Sequence, residues 1–119
     1  MLLDEVEVRR SLEQAKAAFP RFANWKHNNE VNESYSGFAL WGEFILDPDY
    51  MMRRRFFVTF DTYKDQWKGH LSIGQHNYFW SSADFGDASL LDTAPCATLG
   101  EGITTLKMQM ADLFKALSA

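Results

Sequence analysis

The chain has 119 residues, 46% hydrophobic and 24% charged, enough to bury one core and too few to add a separate catalytic domain. Its 12 Lys+Arg against 16 Asp+Glu give a net charge of -4, so it lacks the basic field that gathers nucleic acid, and a basic partner is electrostatically easier. Its one cysteine, Cys96, excludes an internal disulfide and leaves a zinc site short of thiolates, which suits a reducing compartment.

A single domain over residues 1–119 is expected. The N-terminus, "MLLDEVEVRRSLEQ", becomes charged at Asp4, so it has neither the apolar stretch of a secretion signal nor the length of a membrane span. A cytoplasmic protein with no membrane partner is the expectation, and Asn32-Glu33-Ser34 reads as a chance match to a glycosylation acceptor.

Asp4 followed by Glu7 has the spacing of a helix N-cap with its reciprocal acid. Val8, Leu12, Ala15 and Phe19 then recur at helical spacing, predicting an amphipathic helix stopped by Pro20. "NWKHNNEVNES", Asn24 to Ser34, is polar and rich in turn formers and reads as an exposed connection. From Tyr35 the period becomes two: Phe38, Leu40, Phe44 and Leu46 share one parity, and Trp41, Glu43 and Ile45 the other. That predicts a first strand from Tyr35 to Leu46.

After the turn "DPDY", the run "RRRFFVTFDTY" sets Phe56, Val58 and Phe60 against Phe57, Thr59 and Asp61 and is the clearest strand of the chain. "KDQWKG" reads as a hairpin loop, and "HLSIGQH" as a third strand with Leu71 and Ile73 inward and His70, Ser72 and Gly74 outward. "NYFWSS" supplies a fourth strand, whose core side stays open because Tyr78, Phe79 and Trp80 are all aromatic.

Thr98 with Glu101 fits a capping box that opens a second helix. Ile103, Leu106, Met110, Leu113, Phe114 and Leu117 form its apolar stripe, whose burial would contribute about 9–18 kcal/mol gross, an upper bound before entropy. The expected fold is α+β: a four-stranded antiparallel meander flanked by N-terminal and C-terminal helices, α-β-β-β-β-α, with the helices on one face.

Motifs that could carry chemistry are few. Asp84-Phe85-Gly86 resembles the magnesium-binding motif of protein kinases, but the glycine-rich loop, strand lysine and catalytic-loop aspartate are missing. Asp84, Asp87 and Asp92 offer oxygen ligands without the alternating spacing of a calcium loop, so an acidic turn bent at Gly86 is preferred. Gly100-Glu101-Gly102 places an acid where a helix-bound phosphate would sit, so capping explains it. Arg53-Arg54-Arg55 could grip an anion, but a solvated strand edge is preferred, since charged residues there discourage edge-to-edge aggregation. Element order resembles that of double-stranded RNA-binding domains, yet the start of the last helix, "LGEGITTLK", is acidic where those domains are lysine-rich. No cofactor and no metal site is expected; His70 and His76 lie about 20 Å apart if the strand is extended, too far for a shared metal.

The second face of the sheet is the most informative feature. With the helices over Phe38, Leu40, Phe56, Val58, Phe60, Leu71 and Ile73, the opposite face carries Trp41, Glu43, Phe57, Thr59, Asp61, His70 and Ser72, joined by Trp80, unless a helix or the Asp84 to Ala97 segment folds over it. Large aromatics among a few polar groups compose protein interfaces. The first reading is therefore a small cytosolic non-enzymatic interaction module of the adaptor, chaperone or toxin-neutralising kind, its partner another protein or a second copy. The alternative is a small-ligand binder or small enzyme with a pocket between sheet and helix, using His70 or His76 with Asp61 or Cys96.

Overall fold

A computed structural model describes residues 2–31, 36–49, 54–75 and 88–119. The elements are α1 (Glu5–Ala18), β1 (Ala23–Val31), β2 (Ser36–Ile45), β3 (Arg54–Tyr63), β4 (Gln66–Gln75), β5 (Ala88–Asp92) and α2 (Leu99–Leu117). The α+β class, the antiparallel sheet and the two helices are as the sequence implies. The strand count is not: among the described residues five strands form one sheet in the order β1-β2-β3-β4-β5, where four were expected in the whole chain. The expected strand "NYFWSS" lies outside the described residues.

The first added strand is the polar segment read as a connection. β1 pairs with β2 from Lys26↔Trp41 to Val31↔Ser36, with a register shift between Ala23 and Lys26 where Asn24 takes a φ of 54°. As an edge strand it needs apolar contact on one face only, and three residues provide it. Trp25 lies against Gly42, whose missing Cβ would sit 2.6 Å from the indole. His27 stacks on Phe38 at 6.0 Å between ring centroids. Asn29 accepts from the Leu3 amide at 3.0 Å and donates to the Leu3 carbonyl at 2.7 Å, tying the segment before α1 to the sheet.

The second added strand, β5, pairs with β4 from Ile73↔Ala88 to His70↔Asp92, with a shift beside Leu71. Beyond it the chain stays along β4: the Gly69 amide donates to Thr93 Oγ1 at 2.9 Å, and Trp67 and Cys96 exchange backbone bonds of 2.8 and 2.7 Å. The hairpin from β3 to β4 is tighter than expected. Lys64 and Asp65, with φ of 51° and 62°, form a two-residue turn, so most of the "KDQWKG" run belongs to β4.

Both helices cover the same sheet face. Ala15 and Phe19 of the α1 region, Leu99, Ile103 and Leu106 of α2, and Phe38, Leu40, Val58, Phe60, Trp67 and Leu71 of the sheet form one buried cluster. The Asp4–Glu7 capping box opens α1, and Thr98 caps α2 by accepting from the Glu101 amide, while the Glu101 carboxylate reaches the Ala97 amide. Lys107 Nζ donates to the Ala18 carbonyl at 2.7 Å, satisfying the C-terminal end of α1 from α2. The α2 stripe does not bury throughout: Phe114 is 43% exposed and Leu117 73% because the helix runs past the core, although Phe114 still meets Phe56 edge-on at 6.2 Å. No described helix is long and apolar enough to cross a membrane.

Candidate functional site

Pairing registers assemble the outer, helix-free face from side chains distant in sequence. One cross-strand row runs Lys26–Trp41–Thr59–His70–Asp92 through all five strands. The adjacent row carries Glu43, Phe57, Ser72 and Ser89. Asp61 stands two residues from Thr59 on β3, diagonal to His70. Six of the seven sequence-derived site residues, Trp41, Glu43, Phe57, Thr59, Asp61 and His70, thus share one surface. Trp80 lies outside the described residues, as do His76, Arg53 and the Asp84–Asp87 motif.

His70 is held at both ring nitrogens. Nδ1 is 2.6 Å from Asp92 Oδ1 and Nε2 is 3.2 Å from Asp61 Oδ1, while Ser89 Oγ donates to the Asp92 carboxylate at 3.0 Å. The hydrogen bonds to Asp61 and Asp92 raise the imidazole pKa above its ordinary 6.5 against the opposing effect of burial. The same bond to His70, aided by Ser89 and by the nearby charge of Lys68, lowers the Asp92 pKa below 3.8. Each ring nitrogen is engaged by a carboxylate, so His70 must give up one of these contacts before either nitrogen can bind a metal or activate a hydroxyl. Among the described residues no three His, Cys, Asp or Glu side chains are grouped to hold a metal ion.

A second polar group lies beside it. Glu43 accepts from Arg55 at 2.8 Å and from Asn24 Nδ2 at 2.6 Å, with Glu43 and Arg55 side chains 13% and 16% exposed. The Arg55 guanidinium sits 6.0 Å above the Phe57 ring, within cation–π reach, and Phe57 is only 4% exposed. The centre of this face is therefore filled, and its aromatic accessible edge is half-buried Trp41. Arg54 pairs with Asp47 at 2.7 Å, so the described part of the basic run is engaged in ion pairs.

Two grooves among the described residues lie elsewhere. An open groove of about 670 Å³ separates α1 from β1, lined by Leu3, Val8, Arg9, Leu12, His27 and Asn29 among others. A shallower one of about 400 Å³ at the start of α2 holds Cys96, Thr98 and Glu101, with Cys96 Sγ 3.4 Å from the Ala94 carbonyl. His70 lines neither of these two. Sequence reasoning missed Asp92 as a partner of His70, Ser89 as a partner of Asp92 and Asn24 as a partner of Glu43, because these contacts depend on how the strands pair. No protein-family model, curated protein or solved structure matches this chain.

Proposed function

We propose that the chain is a cytoplasmic, non-enzymatic protein-interaction module that binds through the outer sheet face. The observation that supports this reading is the row Lys26–Trp41–Thr59–His70–Asp92, which crosses five strands on the face away from both helices. On this face Glu43 is paired with Arg55, and His70 with Asp61 and Asp92, so less side-chain ordering remains to oppose association there. Trp41 supplies the kind of aromatic anchor that dominates binding energy at protein interfaces. An adaptor, chaperone or toxin-neutralising role fits such a surface.

An enzyme or small-ligand binder is the second reading, favoured by the meeting of His70 with Asp61 at 3.2 Å. That meeting occurs on the open sheet face instead of in a cavity, and Asp92 occupies the other nitrogen.

Wild type, Trp41→Ser and a control change on α2, Met108→Ser, can be compared by affinity capture from cell lysate with quantitative mass spectrometry, and by light-scattering mass. Proteins retained by wild type and the control and lost by a folded Trp41→Ser variant support the outer face. A mass that halves in Trp41→Ser alone assigns the face to self-association. Identical capture and mass in all three overturn the reading.

A further inference from the structure

We propose that β1 is the interface of a two-fold homodimer in which the β1 strands of two copies pair antiparallel about Asn28, joining two five-stranded sheets into one. This goes beyond the outer-face reading and does not depend on it. The two sheet edges differ. β5 has only five residues with a register shift within its pairing, whereas β1 has nine, and its own shift between Ala23 and Lys26 still leaves six residues paired without interruption from Lys26 to Val31. Among the described strands β1 has a neighbour on one side only, so half of its backbone donors and acceptors face outward.

The side chains of that edge suit a second copy of themselves. On the outer face the exposed residues are Lys26, Asn28 and Glu30. A two-fold axis at Asn28 places Lys26 opposite Glu30 of the second copy and Glu30 opposite its Lys26, while the two Asn28 amides meet at the axis. Any other strand meeting this edge would have to match a lysine and a glutamate four residues apart, so the same charges that discourage indiscriminate pairing favour this register.

A two-fold axis normal to the sheet reverses every in-plane direction, so α1 of each copy runs antiparallel to the other. The side of α1 that lines the groove against β1 carries, with its N-cap Asp4, Glu5, Arg9, Glu13 and Lys16, so both signs of charge are available to a facing copy.

Sedimentation equilibrium of the full chain across concentration tests the proposal with three variants of β1 and with Trp41→Ser as the outer-face comparison. Wild type is expected as a concentration-dependent dimer. Lys26→Glu sets like charges opposite each other twice and should weaken dimerisation by about ten-fold, and the reversal Lys26→Glu/Glu30→Lys should restore it to within about three-fold. In a Cys96→Ser background, Asn28→Cys should form an intermolecular disulfide on mild oxidation, since only a two-fold at this position brings the residue beside its own copy. Wild type that is monomeric at all concentrations overturns the proposal, as does a dimer indifferent to Lys26→Glu or one lost only in Trp41→Ser. The last result would instead support self-association through the outer face.

Discussion

His70 and Asp92 stand directly opposite each other on β4 and β5 with Nδ1 and Oδ1 2.6 Å apart, and they make a pH-dependent contribution to stability. The imidazole pKa is raised above 6.5, so its contribution to stability is complete below that value and is lost as pH rises through the raised one. The Asp92 pKa is lowered below 3.8, so its contribution is complete above 3.8 and is lost as pH falls through the lowered one. The pair is therefore most stabilising between those two ordinary values. Because the Asp92 side chain is 60% exposed, solvent screening keeps the effect to about 1 kcal/mol. Urea unfolding of wild type and His70→Gln should show a gap near pH 5.5 that narrows by pH 9. An NMR titration of the His70 ring with a midpoint at or below the ordinary histidine value contradicts this assignment.

Gly42 to Ala is expected to destabilise the sheet by roughly 1–3 kcal/mol through overpacking. The added methyl would stand 2.6 Å from Trp25 Cε2, and the indole cannot easily yield because its Nε1 donates to the Phe22 carbonyl at 3.2 Å. The double change Gly42→Ala/Trp25→Val should recover part of the loss. Denaturation midpoints of the three variants measure it, and an additive double mutant would show that the two residues do not touch.

The turn from β3 to β4 offers a gain. Lys64 and Asp65 both hold positive φ, 51° and 62°, which a Cβ disfavours and which Asn-Gly adopts readily in a two-residue hairpin. Replacing Lys64→Asn and Asp65→Gly together should stabilise the protein by on the order of 1 kcal/mol. Thermal unfolding checks it, and a lower melting temperature contradicts it.

Periodic apolar patterning made some of this architecture legible in the sequence and left other parts hidden. The alternation of Phe56 to Asp61 placed both faces of β3 correctly, and Asp4 with Glu7 marked the start of α1, because these signals are local. β1 stayed hidden because an edge strand meets the core through Trp25, His27 and Asn29 and shows Lys26, Asn28 and Glu30 to solvent, a composition shared with loops. The outer-face residues were foreseen from parity alone. Their pairing was not, since His70 and Asp92 are 22 residues apart and meet only through the β4–β5 register. Exposure of Phe114 and Leu117 was equally invisible, because a helical stripe does not reveal where the sheet beneath it ends.

Asn29 joins the segment before α1 to the edge of the sheet, and its two bonds can be separated chemically. Its side-chain oxygen accepts from the Leu3 amide at 3.0 Å and its nitrogen donates to the Leu3 carbonyl at 2.7 Å, so one amide group imitates a strand neighbour for one residue. Leu3 is itself part of the buried cluster, which makes the link one between the helix layer and the sheet. Asn29→Ala removes both bonds and should cost about 1–3 kcal/mol. Asn29→Asp keeps the acceptor but sets a carboxylate oxygen against the Leu3 carbonyl, so at neutral pH it should be at least as damaging as alanine. Protonation restores a donor, and lowering the pH should therefore recover stability in the aspartate variant and not in the alanine one. Hydrogen exchange at the first turn of α1 is the direct readout. Lower protection relative to the intrinsic exchange rate in both variants at neutral pH, recovering on acidification only for Asn29→Asp, is the expected pattern, and equal protection in all three proteins would show that Leu3 is held by packing alone.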